Sequence, residues 1–279
     1  MTDHPRIPLA GVIGSPIAHS KSPILHGHWL QTYGIRGYYI PIDIAGEDLE
    51  TVLRALPKAG FVGCNVTIPH KEAVLAIADI VSDRAALIGA ANTLIFRPDG
   101  KIHADNTDGY GFIANVKQAI PDWHPNEGPA AVFGAGGAAR AVLASLLEMG
   151  CPEIRISNRT KARAENLRTE FGARIVVYDW VQAGNMLEGA TTVVNTTSLG
   201  MVGKPEFRVP LDALMPGAVV NDIVYTPLET DLLRTAKEAG CRTVDGLGML
   251  LHQAVPGFER WFGHRPEVTE ELRNRILNA

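Results

Sequence analysis

One short segment near the middle of the chain constrains its fold more than any other. Residues 130–133 form an apolar run that leads directly into Gly-Ala-Gly-Gly-Ala-Ala, and an alanine-rich helical pattern follows. Gly134, Gly136 and Ala139 fit the pattern G-x-G-x-x-G/A in the strand–turn–helix context that this pattern requires. The glycines allow a tight turn and close approach of a pyrophosphate to the backbone, and the N-terminus of the helix attracts phosphate. The segment therefore predicts a Rossmann-like dinucleotide-binding unit.

The residues after the second strand of this unit indicate which dinucleotide binds. Residues 154–157 read as that strand, and Asn158, Arg159 and Thr160 follow it, with Arg163 one turn later. A unit that binds NAD carries Asp or Glu near this point, where the carboxylate bonds the ribose 2′-hydroxyl. A carboxylate would repel a 2′-phosphate, whereas guanidinium groups bind one. The sequence therefore predicts NADP(H) as the cofactor.

Strand and helix patterns alternate along the whole chain, which predicts an α/β protein. Before the glycine motif, strands are predicted at 8–13, 38–44, 61–67, 91–96 and 101–104, and helices at 23–33, 47–59 and 71–78. From residue 109 onward, strands are predicted at 130–133, 154–157, 174–178, 192–196 and 219–224, and helices at 109–120, 249–262 and 268–277. Residues 97–100 (Arg-Pro-Asp-Gly) read as a hairpin turn, so the first sheet is expected to be mixed.

These patterns predict two α/β domains. Residues 1–110 form the first, with the mixed sheet, and residues 111–245 form a doubly wound, Rossmann-like NADP-binding domain. Residues 246–279 supply C-terminal helices that are expected to pack back on the first domain.

Composition excludes several classes of protein. The formal net charge of −4 over 279 residues provides no basic field for nucleic acid. We also predict no contact with a membrane, because no apolar run is long enough to cross one and the chain begins without an apolar signal region. Cys64, Cys151 and Cys241 are far apart and have no metal-ligand spacing. We therefore expect reduced thiols, a cytoplasmic location and no metal.

Four segments of the first domain combine polar groups with turn-forming residues: 14–23, 65–71, 89–93 and 105–109. Loops at strand ends are where open α/β sheets place ligand groups. Reduction of a carbonyl needs a proton donor beside the hydride acceptor, and Lys71 and Asp108 are the candidates. The pattern alone leaves open whether they form only a surface salt bridge, worth about 0–1 kcal/mol. The histidines near these segments, His19, His26, His70 and His252, are interpreted as packing residues.

Taken in order, these motifs resemble those of the shikimate/quinate dehydrogenase family over nearly the whole chain. They are Ser-x-Ser before Pro23, Asn-Val-Thr-x-Pro-His-Lys, Ala-Asn-Thr, Asn-Thr-Asp-Gly, the glycine motif, Asn-Arg-Thr, Asn-x-Thr-x-x-Gly-Met and Gly-x-Gly-Met-Leu…Gln. The resemblance implies NADP-dependent, reversible reduction of 3-dehydroshikimate to shikimate, a step of chorismate and aromatic amino-acid biosynthesis. It also makes the first domain the substrate-binding and catalytic one.

The resemblance further implies a set of site residues. Lys71 and Asp108 are expected to be the catalytic pair. The substrate is expected to contact Ser20 and Ser22 through its carboxylate, and also Thr67, Asn92, Asp108, Tyr225 and Gln253. The pyrophosphate is expected at Gly134, Ala135, Gly136, Gly137 and Ala138, and the 2′-phosphate side of the adenosine at Asn158, Arg159, Thr160, Lys161, Ala162 and Arg163. Ile223 and Gly246 are expected to line the nicotinamide pocket, and Asp83 to lie on the cofactor side.

Two other functions stay open at this point. One is an NAD-preferring quinate/shikimate dehydrogenase, against which Arg159 and the pair Ser20 and Ser22 argue. The other is a non-enzymatic NADP-binding module, which could lose Lys71 or Asp108, although this chain keeps both. The predicted partners are small molecules, and the sequence leaves monomer and homodimer as alternatives.

Overall fold

A computed structural model describes residues 7–279, which fold into two compact units. The first unit comprises residues up to Thr107 together with Leu251–Ala279, and the second comprises Asp108–Leu250. The sequence-based boundaries at residues 110 and 245 differ from these for local reasons. A helix that begins at Asp108 belongs to the second unit from its first residue, and the helix Leu247–His252 spans the later boundary.

The described residues contain twelve strands and eleven α-helices. The strands of the first unit are β1 (Leu9–Gly14), β2 (Tyr38–Asp43), β3 (Phe61–Val66), β4 (Ile80–Val81), β5 (Thr93–Phe96) and β6 (Ile102–Asp105). Those of the second unit are β7 (Ala130–Phe133), β8 (Ile154–Ser157), β9 (Ile175–Tyr178), β10 (Thr192–Asn195), β11 (Val219–Asp222) and β12 (Arg242–Val244). The helices are α1 (Ser22–Thr32), α2 (Leu49–Ala55), α3 (Val74–Ile77), α4 (Asp83–Ile88), α5 (Asp108–Ala119), α6 (Gly137–Glu148), α7 (Lys161–Phe171), α8 (Asp231–Glu238), α9 (Leu247–His252), α10 (Val255–Phe262) and α11 (Glu270–Leu277).

The first unit contains a six-stranded mixed sheet in the order β2-β1-β3-β5-β6-β4. β1 pairs in parallel with β2 and β3, whereas β5 is antiparallel to both β3 and β6. The predicted mixed sheet and its hairpin are therefore confirmed. β4 was not predicted, since a strand of two residues is too short to show a periodic pattern.

The C-terminal helices α10 and α11 pack on the first unit, as predicted. α10 lies against β3 and β5, where the indole N–H of Trp261 donates to the carbonyl oxygen of Leu94 at 3.0 Å. Gly63 makes room for this indole, because a Cβ at that position would collide with its ring nitrogen. α11 contacts α1, and the indole of Trp29 on α1 donates to the carbonyl oxygen of Glu267 at 2.9 Å.

The second unit contains a six-stranded parallel sheet in the order β12-β11-β10-β7-β8-β9. This doubly wound order confirms the predicted Rossmann-like fold. Every residue of β7, β10 and β11 is buried, as expected for central parallel strands with both faces covered. All six strands end at the same edge of the sheet, so the loops that follow them lie along one side.

Several predicted helices are shorter in the structure. The segment 71–78 contains only the single turn of α3, and the segment 47–59 is α2 flanked by two short 3₁₀ helices. The segment 249–262 is divided into α9 and α10, with Pro256 at the start of α10, where a residue without an N–H is tolerated. α4 and the 3₁₀ helix Trp180–Leu187 were not predicted.

Candidate functional site

The polar segments of the first unit meet at one edge of its mixed sheet, which we call the polar edge. β1 and β3 end there, while β5 begins there and β6 ends there, because β5 runs opposite to both of its neighbours. Backbone hydrogen bonds connect the segments: Thr67 donates to Ile13 (2.9 Å), Ala91 to Lys71 (2.8 Å) and Asn92 to Asp105 (3.1 Å). The topology therefore brings together segments that are far apart in the sequence.

Asn92 is buried at the polar edge and makes side-chain contact with Gln253. Its amide donates to Oε1 of Gln253 at 3.1 Å. Its Oδ1 accepts from the backbone N–H of Thr107 (2.9 Å) and the hydroxyl of Thr93 (3.0 Å), and the hydroxyl of Thr107 is 2.8 Å from the carbonyl oxygen of Gln253. The structure thus places two of the predicted substrate-binding residues next to each other and holds Asn92 in one orientation.

Behind Asn92 lie the buried residues Tyr39 and Asn65. Asn65 opens one of the predicted motifs but was given no role of its own, and Tyr39 was not predicted. The hydroxyl of Tyr39 donates to Oδ1 of Asn65 at 2.7 Å, and the amide of Asn65 donates to the carbonyl oxygen of Asn92 at 3.0 Å. Burial raises the pKa of Tyr39 well above its ordinary value, so its hydroxyl stays protonated and remains a donor. An asparagine inside an apolar strand was the available signal, since a buried amide requires partners.

The other predicted residues of the first unit lie at or near the starts of helices. Ser20 and Ser22 are half-buried just before and at the start of α1, and the backbone N–H of Ser22 donates to the hydroxyl of Ser20 at 3.3 Å. Lys71 is half-buried in the turns that precede α3. Asp83 is exposed as the first residue of α4, where the helix dipole by itself favours a carboxylate.

Close contact at the end of β1 fixes the position of Thr67. A Cβ on Gly14 would lie 2.6 Å from Cγ2 of Thr67 and 3.0 Å from the carbonyl oxygen of Ile68. Only glycine therefore allows the loop after β3 to lie this near β1. This contact keeps the half-buried Thr67 at the polar edge.

The glycine turn of the second unit has the geometry of an anion-binding site. Gly134 has a φ of 110°, and a Cβ there would lie 2.6 Å from Oγ1 of Thr196. A Cβ on Gly136 or Gly137, by contrast, meets no atom within 4 Å, so open space lies in front of the first turn of α6. Ala139 is fully buried, as expected for the close-packing position of the motif. The turn can therefore accommodate a pyrophosphate against the backbone N–H groups of α6.

The start of α7 carries positive charge where a helix usually carries negative charge. Its first turn contains Lys161 and Arg163 and no acidic residue, and the exposed Arg159 precedes it. Cations at a helix N-terminus oppose the helix dipole, so this arrangement favours a bound anion. Nζ of Lys161 already lies 2.9 Å from a carboxylate oxygen of Asp179, and this hydrogen bond raises the pKa of Lys161. Arg159 lines a solvent-open cleft of about 400 Å³ together with Asn158, Trp180, Thr197, Ser198, Leu199, Pro205, Glu206 and Arg208.

Asn158 orders the chain that leads into α7. Its side-chain amide donates to the carbonyl oxygen of Thr160 at 2.9 Å, which closes the turn between β8 and the helix. Asn158 is half-buried, whereas Thr160, Lys161 and Ala162 are exposed. The predicted adenosine-side residues therefore share one turn that is open to ligand.

Ile223 and Gly246, both predicted on the nicotinamide side, lie in direct contact. A Cβ on Gly246 would overlap the carbonyl group of Ile223, so this position requires glycine. Ile223 and the half-buried Tyr225 line a pocket of about 350 Å³, which we call the β10–β11 pocket. Asp108 is half-buried as the first residue of α5.

Residues 7–279 contain neither a metal-binding cluster nor a membrane-spanning helix. No group of three or more His, Cys, Asp and Glu side chains there is arranged to hold a metal ion. No helix in that range is both long enough and apolar enough to span a bilayer.

Comparison with known proteins gives matches along most of the chain. Three family models match: the shikimate dehydrogenase substrate binding domain at residues 12–94, shikimate / quinate 5-dehydrogenase at 116–201, and the shikimate 5′-dehydrogenase C-terminal domain at 246–274. A protein of Cereibacter sphaeroides named shikimate dehydrogenase (NADP(+)) is 73% identical over 277 residues, which cover 99% of each chain. The chain belongs to the shikimate dehydrogenase family.

Solved structures of the family have the same fold. Shikimate 5-dehydrogenase from Thermus thermophilus, in complex with NADP(H) and shikimate, matches with a TM-score of 0.84 at 37% identity, over 98% of this chain and 99% of that one. Quinate dehydrogenase from Corynebacterium glutamicum, in complex with NAD, matches with a TM-score of 0.90 at 32% identity, over 98% of this chain and 99% of that one. Because structures named for both cofactors match this well, the fold alone does not distinguish NADP from NAD.

Proposed function

We propose that this chain catalyses the NADP-dependent, reversible reduction of 3-dehydroshikimate to shikimate. The observation that carries the proposal is the acid-free, cationic turn at 158–163 in the same unit as the open glycine turn of α6. The 73% identity to a protein named shikimate dehydrogenase (NADP(+)) supports the same reaction and cofactor.

The residues of the second unit fit NADP. Gly134 to Ala138 would hold the pyrophosphate, since the space in front of Gly136 and Gly137 is open and the N-terminus of α6 attracts anions. Arg159 and Arg163 would hold the 2′-phosphate, with Asn158, Thr160, Lys161 and Ala162 shaping the turn. Ile223 and Gly246 would contact the nicotinamide. Asp83, which belongs to the first unit, would be the remaining residue on the cofactor side.

The polar edge suits a small, hydroxylated anion. We assign the substrate carboxylate to Ser20 and Ser22, because two neighbouring hydroxyls can both donate to it. Thr67, Asn92 and Gln253 would bond the ring hydroxyls. A site built to bond hydroxyls rejects analogues that lack them. Tyr225 completes the proposed set from the second unit.

When bound, the nicotinamide supplies or accepts the hydride. Arrival of a hydride at a ketone places negative charge on its oxygen, which needs a proton and a nearby positive charge. The Lys71 ammonium can provide both, and we assign it as the acid in the direction of reduction. Asp108 is the proposed carboxylate that shares this proton transfer and contacts the substrate.

Quinate oxidation with NAD is the alternative that shares this fold. Arg159 and Arg163 argue against it, since a cationic turn without a carboxylate lacks the usual acceptor for the 2′-hydroxyl of NAD. A non-enzymatic binding module would have no need for Lys71 at a polar edge. The cytoplasmic location and the choice between monomer and homodimer stay predictions.

The test is a set of four assays on the purified protein: shikimate or quinate with NADP⁺ or NAD⁺, followed by absorbance of the reduced nicotinamide. We expect the highest kcat/KM with shikimate and NADP⁺. Lys71→Ala removes the proposed acid, and its turnover should be about 10²- to 10⁴-fold lower than that of the wild type. Preference for quinate and NAD⁺ would support the alternative enzyme. Binding of NADP⁺ without turnover of either substrate would support the binding module.

A further inference from the structure

Asp222, at the end of β11, is a fully buried carboxylate with three hydrogen-bond donors around it. Its Oδ1 accepts from the amide of Asn195 at 2.9 Å and from the backbone N–H of Val224 at 3.0 Å. Its Oδ2 accepts from the hydroxyl of Thr230 at 2.7 Å. Burial removes this carboxylate from water, which disfavours its charged form and raises its pKa to about 6. A carboxylate kept at such a position calls for an explanation beyond packing.

The partner of Asp222 is its direct neighbour across the sheet. Asn195 ends β10 and pairs with Asp222 in the parallel register of β10 and β11. Oδ1 of Asn195 accepts from both the backbone N–H (3.0 Å) and the hydroxyl (2.7 Å) of Thr197, and its amide lies 3.3 Å from the carbonyl oxygen of Leu199. Asn195 therefore sets the shape of the loop after β10, while Asp222 sets the start of the loop after β11 through Val224.

These two loops are the walls of the β10–β11 pocket. The first supplies Thr196, Thr197, Ser198 and Met201, and the second supplies Ile223, Val224, Tyr225 and Thr226. The loops are also joined farther out, where the backbone N–H of Val202 donates to the carbonyl oxygen of Thr226 at 2.9 Å. Asp222 and Asn195 are both fully buried, so they act through the walls and do not touch a ligand.

We propose that Asp222, through Asn195 and Val224, is the positioning residue for the nicotinamide half of the cofactor site. This inference rests on the proposed function and deepens it. The residues of the adenosine half, at 158–163, are not among the hydrogen-bond partners of Asp222. The loop after β10 also lines the Arg159 cleft through Thr197, Ser198 and Leu199, but the turn at 158–163 is held by its own hydrogen bond from Asn158 to Thr160. Loss of Asp222 therefore disturbs the β10–β11 pocket more than the recognition of the 2′-phosphate.

The experiment compares two nucleotides by calorimetry: NADP⁺, and adenosine 2′,5′-bisphosphate, which lacks the nicotinamide half. In Asp222→Ala, NADP⁺ affinity should fall roughly tenfold or more, because the displaced walls lose their contacts with the nicotinamide half, while the affinity for the bisphosphate should fall far less. KM for NADP⁺ should rise. Asp222→Asn should restore most of the affinity for NADP⁺, because its carbonyl can face Asn195 and Val224 while its amide donates to Thr230.

Val220→Ala is the matched control, since Val220 is buried on the same strand and does not line the pocket. Val220→Ala should lower the melting temperature without changing the ratio of the affinities for NADP⁺ and the bisphosphate. If Asp222→Ala does not fold, Asn195→Ala tests the same connection and should show the same selective loss. Equal losses of affinity for both nucleotides, or an unchanged affinity for NADP⁺, would overturn this inference and leave the proposed function intact. Failure of the wild type to bind NADP⁺ would overturn the proposed function, and this inference with it.

Discussion

Replacing His26 by phenylalanine is expected to make the first unit much less sensitive to acid. The ring of His26 is completely buried and stacks on Tyr39, with 3.9 Å between ring centroids and 7° between planes. Trp29 and Phe258 pack around it as well. Because this surrounding is apolar, the neutral ring is favoured, and burial lowers the pKa of His26 from 6.5 to about 3.

The sign and size of the effect follow from this shift. The unfolded chain takes up the proton near its ordinary pKa, while the folded chain resists it, so protonation favours unfolding. The free energy of unfolding that depends on the neutral His26 ring is fully present above pH 6.5 and is lost progressively as the pH falls towards 3. Each pH unit in that window costs about 1.4 kcal/mol, so the wild type should lose about 3 kcal/mol between pH 7.5 and pH 4.5 through His26 alone. Phenylalanine has no proton to accept and places a slightly larger apolar ring at the same site.

The assay is urea unfolding at several pH values, followed by tryptophan fluorescence, since Trp29 and Trp261 lie beside His26. At pH 7.5 the variant should be as stable as the wild type or more so, because an apolar ring replaces a buried polar one. At pH 4.5 it should be more stable by about a further 3 kcal/mol. His252, whose pKa burial lowers to about 4, is present in both proteins and cancels. His264→Phe, at an exposed ring of the same unit, is the comparison for adding a phenylalanine. Parallel stability curves for the wild type and His26→Phe would refute the reasoning.

Three further predictions concern the proposed reaction. Arg159→Ala should raise KM for NADP⁺ by about ten- to a hundredfold, as expected for loss of a charge-assisted contact, and should change KM for NAD⁺ far less; equal changes in steady-state kinetics would contradict the assignment. Ser22→Ala should raise KM for shikimate and leave NADP⁺ affinity unchanged in calorimetry, and the reverse result would mean that the site is misassigned. Asp108→Asn should lower turnover, and combining it with Lys71→Ala should cost much less than the product of the two single effects, because the residues act as a unit. A fully multiplicative loss in that kinetic cycle would argue for independent roles.

Much of the fold could be predicted because its signals are local. The glycine turn depends on a positive φ at Gly134 and on open space at Gly136, and both are properties of a few consecutive residues. The hairpin between β5 and β6 likewise follows from the turn residues at 97–100. Helix limits were harder to predict, as at α3, since a single turn has no periodicity of its own.

The candidate site could be predicted only in part. Motif residues such as Asn92 and Gln253 were identified, and the structure places them in contact. Tyr39 was not, because an aromatic residue on a short strand has the same pattern whether its hydroxyl bonds Asn65 or faces water. Its role depends on β1, which lies between β2 and β3 in the sheet order.

The sequence by itself determined the order of most strands and the longer helices, the dinucleotide-binding turn and the charge of the turn at 158–163, since each is encoded in neighbouring residues. Only the tertiary structure decided which side chains lose water and which become partners. His26 is neutral because α1, β2 and α10 enclose it, and Asp222 meets Asn195 because β10 and β11 are neighbours in the sheet. Burial and long-range pairing depend on how elements pack, and that packing places residues far apart in the chain within hydrogen-bonding distance.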